Sequence, residues 1–113
     1  MKKIYIISGE ASGDLHSANL VQEFKKQDNS LEFRAWGGDR LRNEGVTIDK
    51  DIGELAFMGF LEVLLNLKTI LRNIRSCKQN LIDFQPDLLI LVDYPGFNLR
   101  IAKWAKSKGI CVY

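Results

Sequence analysis

The residues best equipped for chemistry fall in two short runs, Ser8-Gly9-Glu10-Ala11-Ser12-Gly13-Asp14-Leu15-His16 and Asp93-Tyr94-Pro95-Gly96-Phe97-Asn98. Each follows an unbroken apolar stretch, Ile4-Tyr5-Ile6-Ile7 in the first case and Leu88-Leu89-Ile90-Leu91-Val92 in the second. An aliphatic run bounded by turn residues reads as a buried parallel strand, and the carboxyl end of such a strand is the edge where open α/β sheets bind ligands. Glu10 and Asp93 therefore stand at two such edges. A carboxylate buried there is costly unless paired, so it either caps a neighbouring turn or does chemistry. In the first run Gly9 and Gly13 permit close backbone approach, and Ser12 or Asp14 can cap the helix that continues through Leu20, Val21 and Phe24. A glycine turn with an N-cap accounts for Gly9, Gly13 and Asp14 without any ligand, but it leaves Glu10 with no capping duty. In the second run Pro95 and Gly96 form the turn, Phe97 can pack on the core, and Asn98 can cap residues 99–108.

Several familiar sites are excluded by spacing. The glycines of the first run are four apart, with neither G-x-G-x-x-G nor a following Gly-Lys-Ser or Gly-Lys-Thr, so this is not a classical nucleotide cradle. Asp49-Lys50-Asp51 has the D-x-D spacing that can hold a hard cation, but any acidic loop yields that pattern, and no metal site is expected. His16 has no second metal-binding residue at i+4 and reads as a surface or packing residue.

The elements that position these runs alternate. Strands are expected near 3–8, 31–36, 88–93 and 110–113, and helices near 14–27, 39–44, 61–82 and 98–108. The stretch 45–57 is ambiguous: Val46-Thr47-Ile48 is compatible with a short strand, which Asp49-Lys50-Asp51 interrupts. This alternation calls for an α/β fold, a Rossmann-like parallel sheet with helices on both faces. In the helix over 61–82, Val63, Leu67, Ile70, Ile74 and Leu81 share one face suited to a core. Leu61, Leu64 and Leu65 point elsewhere, toward Lys68, Arg72 and Arg75. A leucine surface beside a basic stripe suits an anionic membrane surface; burial against another helix, or against the partner of a homodimer, suits it too.

At 113 residues, 46% hydrophobic and 27% charged, the chain has the material for one domain's core. A net charge of +2, with no interleaving of basic and aromatic residues, argues against nucleic acid. Cys77 and Cys111 lack metal-ligand spacing and read as reduced, buried thiols, which fits a cytoplasmic setting. The apolar stretch after Lys2 and Lys3 is too short for a signal or spanning segment, so membrane contact is expected to be peripheral.

Read together, Ser-Gly-Glu-Ala-Ser-Gly-Asp at 8–14, Gly37-Gly38-Asp39-Arg40, Met58-Gly59-Phe60-Leu61-Glu62-Val63-Leu64 and Asp-Tyr-Pro-Gly-Phe-Asn at 93–98 closely resemble the lipid-A-disaccharide synthases, in order and in spacing. Ser17 departs from the pattern, where glycine is common. The resemblance implies an incomplete, acceptor-side N-terminal domain over 1–113 of a two-domain, GT-B-type glycosyltransferase. Its UDP-sugar-binding domain, with the groups that assist UDP departure, is expected outside this sequence, and the 113 residues alone are expected to be inactive. The implied reaction is inverting and needs no cofactor. It joins UDP-2,3-diacylglucosamine to 2,3-diacylglucosamine 1-phosphate, giving the β-1,6-linked disaccharide of lipid A, at the cytoplasmic side of the bacterial inner membrane. In that reading Asp93 is the base, with Glu10 as the alternative base or an orienter of acceptor hydroxyls. Ser12, Gly13 and Asn98 line the same crevice, and Leu61, Leu64, Leu65, Lys68, Arg72 and Arg75 dock on the membrane. The rival readings are a non-catalytic acyl-sugar or membrane-binding module, and a Rossmann domain of different chemistry, which the absent glycine fingerprint disfavours.

Overall fold

The computed structural model describes residues 2–53 and 67–113. Along the chain these form β1 (Lys3–Ser8), α1 (Ala11–Gln27), β2 (Glu32–Gly37), α2 (Asp39–Asn43), β3 (Thr47–Asp51), α3 (Leu67–Phe84), β4 (Leu88–Val92), α4 (Pro95–Ser107) and β5 (Cys111–Val112). All five strands are parallel, in the order β3-β2-β1-β4-β5. The chain starts in the middle, winds outward through β2 and β3, then crosses back to β4 on the other side of β1. That reversal places a topological switch point between the carboxyl ends of β1 and β4, where an open sheet leaves a crevice.

The Rossmann-like α/β architecture follows from how the strands bury both faces. Side chains alternate across β1: Tyr5 and Ile7 join Trp36 and Leu89 on one face, and Ile4 and Ile6 join Phe33, Ala35 and Ile90 on the other. The first face is covered by Ile74, Cys77, Leu81 and Phe84 of α3 and by Phe97, Ile101 and Ala105 of α4. Those spacings of three and four keep one helical stripe on the sheet. Ala18 and Val21 of α1 and Leu41 of α2 cover the second face. Each buried aliphatic side chain contributes about 1.5–3 kcal/mol of transfer free energy, so a strand covered on both sides must be apolar at every position.

Four local expectations are corrected. The first helix begins at Ala11, not near residue 14. The last begins at Pro95 rather than Asn98, because proline's fixed φ and missing N–H suit a first helical position. Residues 47–51 form a strand through the Asp-Lys-Asp run, which an edge strand tolerates because its charged side chains reach solvent or partners across the rim. Cys77 is fully buried, but Cys111 is exposed, since β5 is a short edge strand.

Candidate active site

Ser8 of β1 and Val92 of β4 are register partners, so the chain leaves the two strands side by side. Two residues on from Ser8 is Glu10, and one residue on from Val92 is Asp93. Both carboxylates are exposed and make no hydrogen bond or ion pair with the described residues. The loops that carry them interlock. A Cβ on Gly9 would fall 2.5 Å from the Tyr94 ring, so Tyr94 lies directly on the Gly9 backbone. The same ring stacks on Phe97, with centroids 4.8 Å apart and an interplanar angle of 11°. A Cβ on Gly13 would lie 3.0 Å from Ser8 Cβ and 3.5 Å from Val92 Cγ1, so glycine lets α1 rest on the ends of both strands. Ser8 Oγ donates to the Trp36 carbonyl at 3.0 Å and ties β1 to β2 below the crevice.

The structure brings Glu10 and Asp93 to one edge, but assigns other duties to the residues around them. Glu10 occupies the N-cap of α1 in extended conformation, and its side chain makes no capping bond. Neither Ser12 nor Asp14 caps that helix. Asp14 is 3% exposed and reaches out of α1 to α2: its carboxylate accepts N–H bonds from Gly38 at 2.8 Å, Arg40 at 3.0 Å and Leu41 at 3.3 Å. The sequence carried a sign of this. The short helix after Gly38 has no side chain at its N-cap to satisfy its first N–H groups, so an acceptor had to arrive from elsewhere.

Asn98 does not begin α4 either. The helix is preceded by two successive left-handed residues, Asp93 at φ 55° and Tyr94 at φ 59°. Asn98 sits in its first turn, 5% exposed, with Nδ2 donating to the Asp93 carbonyl. Gly13 and Asn98 are thus buried beneath the strand ends, whereas Ser12 is exposed and faces the β2–β3 side of α1 rather than sharing a cavity with Asp93.

Beside the switch point, on the β2–β3 side of α1, Ser12, Leu15, Gly38, Arg40, Ile52 and Gly53 help line an open pocket of about 530 Å³. Asp14 forms its joint. The Asp-Lys-Asp carboxylates diverge around an irregularity opposite Ala35 and Trp36. Asp49 accepts from Tyr5 Oη at 2.8 Å and from Arg34 at 2.6 Å. Asp51 pairs with Arg42 of α2 at 2.5 Å and accepts from the Gly53 N–H at 2.7 Å, which holds its carboxyl below the usual range. Burial, followed by the neighbouring Asp49 carboxylate, pushes the Tyr5 phenol well above its ordinary value. His16 is exposed, and no group of three or more potential metal ligands occurs among the described residues.

Of the predicted membrane face, Arg72 and Arg75 are exposed on α3, next to Leu71, which is 55% exposed. Lys68 belongs to the first turn of α3, and Leu61, Leu64 and Leu65 lie outside the described residues. No helix among the described residues is long and apolar enough to cross a membrane.

Comparison with known proteins identifies the family. The lipid-A-disaccharide synthetase family model matches residues 4–113. The lipid-A-disaccharide synthase of Geobacter sulfurreducens is 44% identical over 110 residues, covering 97% of this chain and 29% of that protein. Lipid-A-disaccharide synthase 1 of Legionella pneumophila strain Lens is 44% identical over 106 residues, or 94% of this chain and 28% of that protein. The Coxiella burnetii lipid-A-disaccharide synthase is 40% identical over 111 residues, 98% of this chain and 30% of that protein. The chain thus spans less than a third of the length of these relatives. With the doubly wound sheet, the switch point between β1 and β4 and this match over nearly every residue, the chain belongs to the lipid-A-disaccharide synthase family.

Proposed function

We propose that the protein carrying this chain is an inverting glycosyltransferase of lipid A biosynthesis, and that these residues form its acceptor-side domain. The observation that carries this reading is the family match over residues 4–113. The reaction joins UDP-2,3-diacylglucosamine to 2,3-diacylglucosamine 1-phosphate. The acceptor 6-hydroxyl oxygen attacks the anomeric carbon, the bond to the UDP oxygen breaks with its electron pair leaving on UDP, and a β-1,6 linkage results. The hydroxyl is a poor nucleophile until its proton is removed. A base that takes it during attack contributes about 10²–10⁴-fold.

Asp93 is assigned that role. It is exposed at the carboxyl edge of β4 and has no competing partner among the described residues, so its carboxylate is available to a ligand at the switch point. Glu10, at the edge of β1, is the alternative base or an orienter of acceptor hydroxyls. Ser12 offers an exposed hydroxyl in the first turn of α1, and Gly13 and Asn98 pack beneath the strand ends. The acylated substrates imply work at a membrane surface, with residues 61–75 as the peripheral docking face and the cytoplasmic side of the inner membrane as the location.

Incubating the full-length protein that carries this chain with both acylated substrates and following disaccharide and UDP tests the reaction. Stoichiometric formation of the two products is expected, and their absence from a folded preparation overturns the reading. Asp93→Asn keeps the size of the side chain and removes the base. A fall of about 10² or more in kcat is expected, while near-normal turnover of the folded variant transfers the role to Glu10.

A further inference from the structure

We infer that Asn98 is a positioning residue that acts through the backbone of Asp93, an inference that rests on the assignment of Asp93 as the base. Asp93 and Tyr94 are consecutive non-glycine residues in the left-handed region, at φ 55° and 59°. An aspartate tolerates that conformation, but a bulky tyrosine rarely adopts it, so the pair persists only where its surroundings over-determine it. One residue grips both carbonyls. The Asn98 side chain donates Nδ2 to the Asp93 carbonyl, and the Asn98 main-chain N–H donates to the Tyr94 carbonyl at 2.9 Å. The stack of Tyr94 on Phe97 and its seat on Gly9 hold the second residue a further time. Among the described residues, no side chain other than the Asn98 amide bonds Asp93.

The other half of that amide points to the same role. Asn98 is 5% exposed, and its Oδ1 is buried with no hydrogen-bond partner among the described residues. A buried acceptor without a partner is unfavourable, and an apolar residue of similar shape would avoid it. Leucine at this position suits both helix and core, so packing does not call for an amide. What leucine lacks is the N–H that holds the Asp93 carbonyl. Asn98 fixes the direction in which Asp93 leaves β4, and hence where its carboxylate stands against the acceptor hydroxyl.

The test is a double-mutant cycle in the protein carrying this chain: Asn98→Leu, Asp93→Asn and both together, with kcat, KM and melting temperature read for each. Asn98→Leu is expected to melt no lower than wild type and to lose about 10- to 100-fold in kcat, the scale of a misplaced reacting group, with KM within threefold. The double variant is expected to match Asp93→Asn alone, because a residue that acts through Asp93 has nothing left to position. Wild-type kcat in folded Asn98→Leu overturns the inference, as does a large rise in KM or multiplicative losses in the double variant, which mark a direct acceptor contact. If Asp93→Asn is fully active, it is the base assignment that fails. Asn98→Ala serves where the leucine variant does not fold, under the same kcat and KM criteria. Failure of both to fold assigns the amide to stability and overturns the inference.

Discussion

Removing the Asp14 carboxylate should loosen the α2 corner, and the structure sets the size of the effect. Asp14→Ala deletes the acceptor shared by the N–H groups of Gly38, Arg40 and Leu41. Gly38 and Leu41 are buried, and Leu41 is fully so, which leaves water little access to their N–H groups once the carboxylate is gone. Losing an N-cap costs about 1 kcal/mol, and each buried N–H left unpaired costs about 1–3 kcal/mol. The bond at 3.3 Å is long and contributes least, so about 3 kcal/mol is expected for alanine. Asp14→Asn retains one acceptor oxygen and should cost about 1–2 kcal/mol. A helix as short as α2, Asp39–Asn43, does not persist without such anchoring. Urea denaturation of wild type and both variants measures the loss. Amide hydrogen exchange at Gly38, Arg40 and Leu41 localises it, with faster exchange there than across β1 and β4. Alanine within about 0.5 kcal/mol of wild type, or unchanged exchange at those three amides, would refute the account of α2 as a helix capped from α1.

Gly9→Ala should displace the Tyr94 ring, which lies 2.5 Å from the new Cβ, and lower turnover; Gly9→Ala with Tyr94→Ala restores the space, so a double variant no better than the single one refutes the steric account. Gly109 takes φ 80° with nothing within 4 Å of an added Cβ, so Gly109→Ala should cost about 1 kcal/mol from backbone conformation alone, read from a denaturation midpoint. Alkylation at pH 8 followed by peptide mapping should label exposed Cys111 quickly and Cys77 only on unfolding, because burial pushes the Cys77 thiol well up. That raised value stabilises the fold at pH below the thiol's unfolded value, about 8.5, and the contribution is lost as pH rises above it, so unfolding should become easier in alkali unless Cys77 is replaced by alanine or serine. For Asp51 the sign is opposite: its lowered carboxyl stabilises the fold above the ordinary aspartate range, and Asp51→Asn should flatten the loss of stability on acidification.

The parallel strands, their order of chemistry-bearing loops and the Rossmann-like class were legible because they rest on local, repetitive physics. A strand covered on both faces must be apolar throughout, so Ile4-Tyr5-Ile6-Ile7 and Leu88-Leu89-Ile90-Leu91-Val92 announced β1 and β4, and the residues just after them fall at the switch point between the two strands. The family, too, was legible in four motifs. What the residues did not reveal alone is which polar group serves which backbone. Asp14 looked like a cap for its own helix, yet its partners lie 24 to 27 residues away, and only the pairing of β1 with β2 brings them within reach. Asn98 looked like a helix start, but Pro95 opened the helix earlier and turned its amide back onto Asp93. The Asp-Lys-Asp run looked like a break in the chain until an edge strand and an irregular register sent its carboxylates to Tyr5 and Arg34 on one side and Arg42 on the other. Hydrophobic periodicity acts through nearest neighbours and is written in the chain, whereas a hydrogen bond between loops depends on strand order, which packing of the whole sheet decides.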